Sequence, residues 1–153
     1  MKFLKMLMLS SILLVGCSSG SGSGDVPAAI TLENYAEDLA FENELDVLPD
    51  TAASLFIEGN TMKFIYQDLV DYPDSTIEIM QSISQDEESI KTFTDEMSLQ
   101  ILQLRQVYEF EGDVLVIQEF VKPSGEVYVS FEALITDETI DEALESLAKS
   151  LMQ

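Results

Sequence analysis

Apolar residues recur with the spacing of an amphipathic helix in four segments of the chain. The first segment begins near Thr31 and is expected to end near Leu45. The two middle segments are each opened by a serine with a glutamate three residues later, as in a capping box, and the last begins at Thr136 or Asp137. The four apolar stripes are Leu32, Tyr35, Ala36, Leu39 and Ala40; Ile77, Met80 and Ile83; Ile90, Phe93, Met97, Ile101 and Leu104; and Ile140, Leu144, Leu147 and Leu151.

The pattern between the first two helices predicts a β-hairpin. Residues 54–58 and 61–67 flank Gly59 and Asn60, a two-residue loop that suits the primed turns with positive φ. Pairing across this loop places apolar or aromatic side chains opposite one another on one face. The expected pairs are Ile57 with Met62, Leu55 with Phe64 and Ala53 with Tyr66, while Glu58, Thr61 and Lys63 fall on the other face.

After residue 106 the apolar period changes to two, which indicates strands. Three strands are predicted, at residues 107–111, 114–122 and 126–133, and they are joined by two tight turns that contain glycine. Registering both turns collects large side chains on one face of this meander. That face comprises Tyr108, Phe110, Leu115, Ile117, Val121, Val127, Val129 and Phe131.

The opposite face of the predicted meander mixes polar residues with Val116, Phe120 and Tyr128. If no layer covers this face, the three residues form an exposed apolar patch of the kind that binds a partner. The alternative is that the C-terminal helix packs on them, which we favour slightly because its leucines must be buried somewhere.

The predicted order of elements is α-ββ-αα-βββ-α. Tight turns connect the consecutive strands, apart from one helical crossover, so we expect a mainly antiparallel sheet of about five strands packed with helices. Residues 26–153 are long enough for one domain with a core of its own. The sequence therefore predicts a single α+β domain.

The N-terminal segment has the features of a lipoprotein signal peptide. Lys2 and Lys5 precede a short apolar run from Met6 to Val15, which is too short to span a bilayer. The run ends in Leu-Val-Gly-Cys, residues 14–17, which resembles the lipobox of bacterial lipoproteins. The resemblance implies cleavage of a signal peptide, residues 1–16, between Gly16 and Cys17, and attachment of diacylglycerol to the Cys17 thiol. Residues 17–25 then form a flexible Ser/Gly tether.

Acidic residues outnumber basic ones by 29 to 7, and cleavage after Gly16 would leave 5 basic residues and a net charge of −24. This charge opposes binding to nucleic acid, which depends on Lys and Arg that neutralise phosphates. It also opposes close contact with anionic lipid, so membrane attachment must come from the N-terminal lipid. The charge attracts cations and basic peptides, but we favour the interpretation that it forms a solubilising surface held clear of an anionic membrane.

The sequence offers few catalytic groups, because it contains no histidine and its single cysteine is assigned to lipid. Sites built on Ser-His-Asp or Cys-His, zinc sites of His and Cys, and haem ligation through histidine are therefore excluded. Neither a glycine-rich phosphate loop nor an EF-hand pattern occurs. We expect no cofactor and no dedicated metal site.

Carboxylates could still act in hydrolysis of wall polymers or bind cations weakly at the acidic segment 68–74. The largest acidic clusters, however, lie at predicted helix starts, where the helix dipole explains them. These clusters are Asp86, Glu87 and Glu88, and Asp137, Glu138, Asp141 and Glu142. The sequence also lacks tryptophan for a sugar platform, and we expect no enzymatic activity.

The stretches Ile-Glu-Gly-Asn-Thr-Met-Lys-Phe-Ile-Tyr, residues 57–66, and Val-Ile-Gln-Glu-Phe-Val-Lys-Pro-Ser-Gly-Glu-Val, residues 116–127, flank a helical middle. This arrangement resembles small Gram-positive lipoproteins that carry a single domain of unknown function. The resemblance implies an envelope lipoprotein without a known activity. We therefore expect a lipid-anchored, extracytoplasmic binding or accessory module whose partner is an envelope protein or peptide. The alternatives are the carboxylate-dependent hydrolase and the weak cation-binding module.

Overall fold

The computed structural model describes residues 31–36 and 50–153. The predicted signal peptide, the lipobox with Gly16 and Cys17, and the Ser/Gly tether lie outside the described residues, as does the second half of the first predicted helix. The described helices and strands, in chain order, are α1 at residues 32–36, β1 at Thr51–Glu58, β2 at Thr61–Asp68, α2 at Asp74–Gln85, α3 at Glu87–Leu104, β3 at Val114–Val121, β4 at Val127–Ile135 and α4 at Asp137–Leu151.

These elements form an α+β fold, which confirms the predicted class. Within the described residues, four strands form one sheet in the order β1-β2-β3-β4. The sheet is mixed, because β1 and β2 are antiparallel, β2 and β3 are parallel, and β3 and β4 are antiparallel. The crossover between the parallel strands contains α2 and α3, and both helices pack against β4. The prediction of a mainly antiparallel sheet of about five strands is therefore wrong in detail.

The predicted hairpin is confirmed, including its register. Ile57 pairs with Met62, Leu55 with Phe64 and Ala53 with Tyr66. Gly59 has φ of 57°, which a two-residue primed turn requires and which glycine adopts without steric cost. The Asn60 side chain then donates two hydrogen bonds, to the backbone oxygens of residues 111 and 113 at 2.7 and 3.1 Å. The turn is thereby fastened to the loop that leads into β3.

The segment 107–111, predicted as a strand, is instead part of the connection after α3. The backbone N–H groups of Val107 and Tyr108 both donate to the Leu104 carbonyl, at 3.0 and 2.8 Å, so the chain continues in turns beyond the helix end. Tyr108 is buried, and its ring lies 5.5 Å from the ring of Tyr35 in α1. Tyr108 and Phe110, whose spacing predicted a strand, thus pack against the core from a loop.

The register of β3 and β4 changes by one residue at a β-bulge. Next to the turn Val121 pairs with Val127, as predicted, but Phe120 pairs with Val129, so Tyr128 is the extra residue. Because side chains alternate with a period of two, this shift places residues 114–120 of β3 on the opposite face, relative to β4, from the one predicted. Val116 and Phe120 consequently point towards the helices, whereas Leu115 and Ile117 point to the other side.

Helices α2 and α3 begin differently from the prediction. The N-cap of α2 is Pro73, and no side chain caps this helix, so the predicted box opened by Ser75 does not form. The N-cap of α3 is Asp86, whose carboxylate accepts a 2.9 Å hydrogen bond from the Ser89 N–H. This contact and the helix N-terminus account for one of the predicted acidic clusters.

Helix α4 begins where predicted, because Thr136 and Thr139 form a reciprocal capping box. It packs against α3 through Ile140 and Ala143, which are buried. The remaining leucines of its predicted stripe, Leu144, Leu147 and Leu151, are exposed among the described residues. Of this predicted stripe, only Ile140 is therefore buried.

The core lies between the sheet and the helices. Its largest fully buried side chains are Met62, Ile101, Ile135, Val114 and Val116. Every strand contributes alternate residues to this one face of the sheet, which leaves the second set of side chains on the other face. Within the described residues, no helix is long and apolar enough to cross a membrane.

Candidate functional site

The structure corrects the predicted partner patch. Val116, Phe120 and Tyr128 are 0%, 3% and 8% exposed and belong to the core. The Phe120 ring stacks on the ring of Tyr66 with centroids 5.1 Å apart. These three side chains are therefore inside the domain and form no exposed surface. Helices α2 and α3, which pack against β4, cover this side of the sheet, whereas the C-terminal helix that we slightly favoured for this role packs against α3.

The exposed side of the sheet is instead formed by the other set of alternate residues, which we call the open face. Phe56 on β1 and Leu134 on β4 are its most exposed large apolar side chains, at 59% and 53%. Ile65 and Ile117 lie half-buried between them on the two central strands. The open face comprises Ser54, Phe56, Glu58, Thr61, Lys63, Ile65, Leu115, Ile117, Glu119, Ser130, Glu132 and Leu134.

Cross-strand pairing arranges the open face in rows. One row runs across all four strands through Phe56, Lys63, Ile117 and Glu132. Lys63 Nζ forms an ion pair with Glu119 Oε2 at 3.0 Å, so the cation of the row is already neutralised. Glu132 has no ion-pair partner among the described residues, which leaves an apolar surface with an acidic margin.

Part of the open face could have been predicted from the sequence. The polar residues Glu58, Thr61 and Lys63 predict that their face of the hairpin is exposed to solvent. Phe56 and Ile65 lie on the same face and are exceptions, because both are large and apolar. The contributions of Leu115, Ile117 and Leu134 could not be found in this way, because the bulge that exposes them lies at Tyr128.

A buried polar pair joins the end of β2 to β4. Tyr128 Oη donates a 2.7 Å hydrogen bond to Asp68 Oδ2, and the backbone oxygen of Tyr128 accepts one from the Gln81 side chain at 3.2 Å. Burial raises the pKa of the Asp68 carboxyl above its ordinary value, while the hydrogen bond from Tyr128 opposes this effect. Burial, and then the neighbouring carboxylate, raise the pKa of the Tyr128 phenol.

Asp68 belongs to the acidic segment 68–74 that suggested weak cation binding. Its side chain is only 4% exposed and is bonded to Tyr128, so it faces the interior and not the loop. Among the residues that the structure describes, no group of three acidic, histidine or cysteine side chains is arranged to hold a metal ion.

One other carboxyl group is strongly affected by its surroundings. Burial raises the pKa of Glu96, on α3, to about 7. Raised carboxyl pKa values occur in catalytic sites, but Glu96 lies on α3, in the helical layer, whereas Asp68 ends β2 in the sheet. Burial alone shifts the pKa of Glu96, and burial together with the Tyr128 hydrogen bond shifts the pKa of Asp68, so neither shift is caused by the other carboxyl group.

Comparisons with protein-family models, with curated proteins and with solved structures found no significant match.

Proposed function

We propose that this protein is a lipid-anchored lipoprotein on the extracytoplasmic face of the cell membrane, and that its domain is a non-catalytic binding module that uses the open face. The observation that carries the proposal is the exposure of Phe56 and Leu134 on a sheet whose other side is covered by helices. Exposed apolar groups rimmed by polar ones are typical of sites that bind proteins.

The charge of the open face defines the kind of partner. Glu58 and Glu132 are exposed and have no ion-pair partner among the described residues, whereas Lys63 is paired with Glu119. The whole chain adds a net charge of −22, which favours approach of a basic molecule. The proposed partner is therefore an envelope protein or peptide that presents apolar side chains flanked by Lys or Arg.

The proposed attachment rests on the sequence alone. Lys2 and Lys5, the short apolar run and the lipobox ending in Cys17 occur together in the order that bacterial lipoproteins use. Two acyl chains hold a protein stably on a bilayer, whereas one holds it marginally. Cys17→Ser should therefore abolish incorporation of a labelled fatty acid into the protein, and equal labelling of variant and wild type would contradict the anchoring.

Binding through the open face is tested with two matched leucines. Leu134 lies on the open face and Leu144 lies on α4, and both are exposed. The full chain, its Leu134→Asp variant and its Leu144→Asp variant would each be recovered from intact envelopes after mild cross-linking. The proposal predicts a specific protein that is cross-linked to the wild type and to Leu144→Asp but not to Leu134→Asp, and that is recovered in smaller amount when high salt is present before the cross-linker is added.

Two results would contradict this use of the open face. In the first, Leu134→Asp recovers the same protein as the wild type. In the second, Leu144→Asp loses it while Leu134→Asp retains it, which would assign binding to the exposed leucines of α4 instead. Circular dichroism of both variants checks that each domain is folded.

A further inference from the structure

We propose that two copies of this chain associate through β1, which pairs antiparallel with the β1 strand of the second copy to form one continuous eight-stranded sheet. This inference does not depend on the lipid anchor or on the partner of the open face. It rests on the unprotected edge of β1 and on the distribution of small and large residues along that strand.

Strand β1 lies at an edge of the sheet, and within the described residues no strand pairs with its outer side. Native edge strands are usually protected by lysine, proline, a bulge or a covering element. The sequence of β1, Thr-Ala-Ala-Ser-Leu-Phe-Ile-Glu, contains neither lysine nor proline. Its pairing with β2 is regular along the whole strand, without a bulge.

The opposite edge strand of the sheet, β4, is protected against pairing with another strand. Strand β4 carries the bulge at Tyr128. The Gln81 side chain from α2 also donates a hydrogen bond to the Tyr128 carbonyl, so a backbone acceptor of that strand is already used. Among the two described edge strands, only β1 therefore combines a regular backbone with an outer side that has neither a paired strand nor a bulge.

The alternation of hydrogen bonds between β1 and β2 identifies the backbone groups of β1 that do not bond to β2. The Leu69 N–H donates to the Asp50 carbonyl at 2.7 Å, just beyond the paired residues of the hairpin. Hydrogen bonding alternates along an antiparallel pair, so the even-numbered residues of β1 bond to β2. The odd-numbered residues Ala53, Leu55 and Ile57 consequently direct their N–H and C=O groups outwards.

The order of residue sizes in β1 makes this edge complementary to itself. The small residues Ala52, Ala53 and Ser54 precede the large residues Leu55, Phe56 and Ile57. In an antiparallel pair centred on Leu55, Ile57 of one copy lies opposite Ala53 of the other, and Phe56 lies opposite Ser54. Each large side chain outside the centre therefore meets a small one, as an interface with two-fold symmetry requires.

The position of Glu58 favours the register centred on Leu55 over the register centred on Ser54. A pair centred on Ser54 would place Glu58 opposite Asp50 of the second copy, and like charges directly opposite are destabilising. The pair centred on Leu55 places Glu58 opposite Ala52. The remaining electrostatic cost is the repulsion between two acidic chains, each with a net charge of −22 over its full length, and added salt screens it.

Two serines in one cross-strand row provide a matched test. Ser54 on β1 and Ser130 on β4 are both exposed on the open face, at opposite edges of the sheet, and the row joins them through Ile65 and Glu119. Ser54→Lys places a lysine at the proposed contact, whereas Ser130→Lys makes the same charge change away from it. Ala53→Pro removes an outward N–H group and is a second edge variant.

The experiment is sedimentation equilibrium of the full chain in density-matched detergent, over about 1 to 500 µM and at two salt concentrations. The expected result is a wild-type dimer that strengthens with salt, a dimer of Ser130→Lys, and monomers of Ser54→Lys and Ala53→Pro with unchanged circular dichroism. The inference is overturned if the wild type is monomeric throughout or if Ser54→Lys dimerises as the wild type does. It is also overturned if Ser130→Lys loses the dimer to the same extent, because that result would indicate contact through the face of the sheet.

Discussion

The hydroxyl of Tyr128 donates a 2.7 Å hydrogen bond to the carboxylate of Asp68, and this contact joins the bulge of β4 to the last residue of β2. Both side chains are buried. An ionised carboxylate inside a protein is costly unless it is hydrogen-bonded, so the Tyr128 hydroxyl offsets part of the cost of enclosing Asp68.

Tyr128→Phe should lower the free energy of unfolding by about 1 to 3 kcal/mol, because it leaves Asp68 buried without this donor. The hydrogen bond opposes the burial that raises the Asp68 pKa, so its loss should raise this pKa further. The folded variant then favours the protonated acid, and the penalty should be largest at neutral pH and shrink as pH falls through the Asp68 pKa. Urea unfolding at about pH 7 and about pH 4 measures the difference.

Tyr72→Phe is the control for this prediction, because Tyr72 lies near the pair without a hydrogen bond to Asp68. Equal losses of stability in Tyr72→Phe and Tyr128→Phe would show that the contact with Asp68 contributes nothing.

Glu96→Gln should stabilise the domain at alkaline pH. Burial raises the folded-state pKa of Glu96 from 4.5 to about 7. The stabilisation that the protonated Glu96 side chain gives the folded state is therefore fully present below pH 4.5 and is lost as pH rises through 7. Glutamine removes this loss, and the expected gain is about 1 to 2 kcal/mol at about pH 8, after allowance for solvent at this partly exposed side chain. The stability difference between variant and wild type is measured from about pH 4 to about pH 8. Glu142→Gln, at an exposed position of α4, should show no such rise.

Arg105 should matter more than the acid with which it pairs. Its Nη1 lies 2.9 Å from Asp137 Oδ1, and its Nη2 donates a 2.8 Å hydrogen bond to the Gly112 carbonyl. The Asp137 side chain is exposed, so the ion pair contributes little, whereas the bond to Gly112 fixes the loop before β3. Arg105→Leu should cost about 1 to 2 kcal/mol and Asp137→Asn less than about 0.5 kcal/mol in thermal or urea unfolding. The reverse order would assign the stabilisation to the ion pair.

Asn60→Asp should loosen the contact between the hairpin turn and the loop before β3. The substitution preserves size but removes both donors to the backbone oxygens of Glu111 and Asp113, and it places a carboxylate against them. We expect a loss of about 1 kcal/mol and faster hydrogen exchange at the Leu115 N–H, which donates to the Asn60 carbonyl. Unchanged exchange at Leu115 would show that the side-chain contacts do not hold this end of β3.

The parts of the fold that were predicted from the sequence depend on local information. The β1–β2 hairpin was predicted with its register because Gly59 and Asn60 fix the turn and apolar residues alternate on both sides of it. Helix α4 began where expected because Thr136 supplies its cap. The parallel pairing of β2 with β3 was missed, because no turn joins these strands and nothing in their sequences distinguishes a parallel neighbour.

The candidate site was missed for a similar reason. One extra residue at Tyr128 exchanges the two faces of β3 relative to β4. Val116 and Phe120, predicted on the mixed face of the meander, therefore lie in the core, whereas Leu115 and Ile117, predicted on its apolar face, lie on the open face. The sequence does contain a Gly-bearing turn beside this point, but it carries no signal that places the bulge one position into the strand. Phe56 was visible as an exception to the hairpin pattern, and it is the residue by which the open face could have been found.

The parallel pairing of β2 with β3 also determines the order in which the chain can fold. During synthesis, β1 and β2 can form their hairpin as soon as Asp68 has emerged, but the second side of β2 must wait until both crossover helices and β3 have followed. Closing this long loop is slow compared with forming a hairpin, so the docking of β3 should limit the folding rate. A chain halted before Val114 would present two unpaired strand edges at once, and the incomplete domain would be most prone to aggregate at that stage.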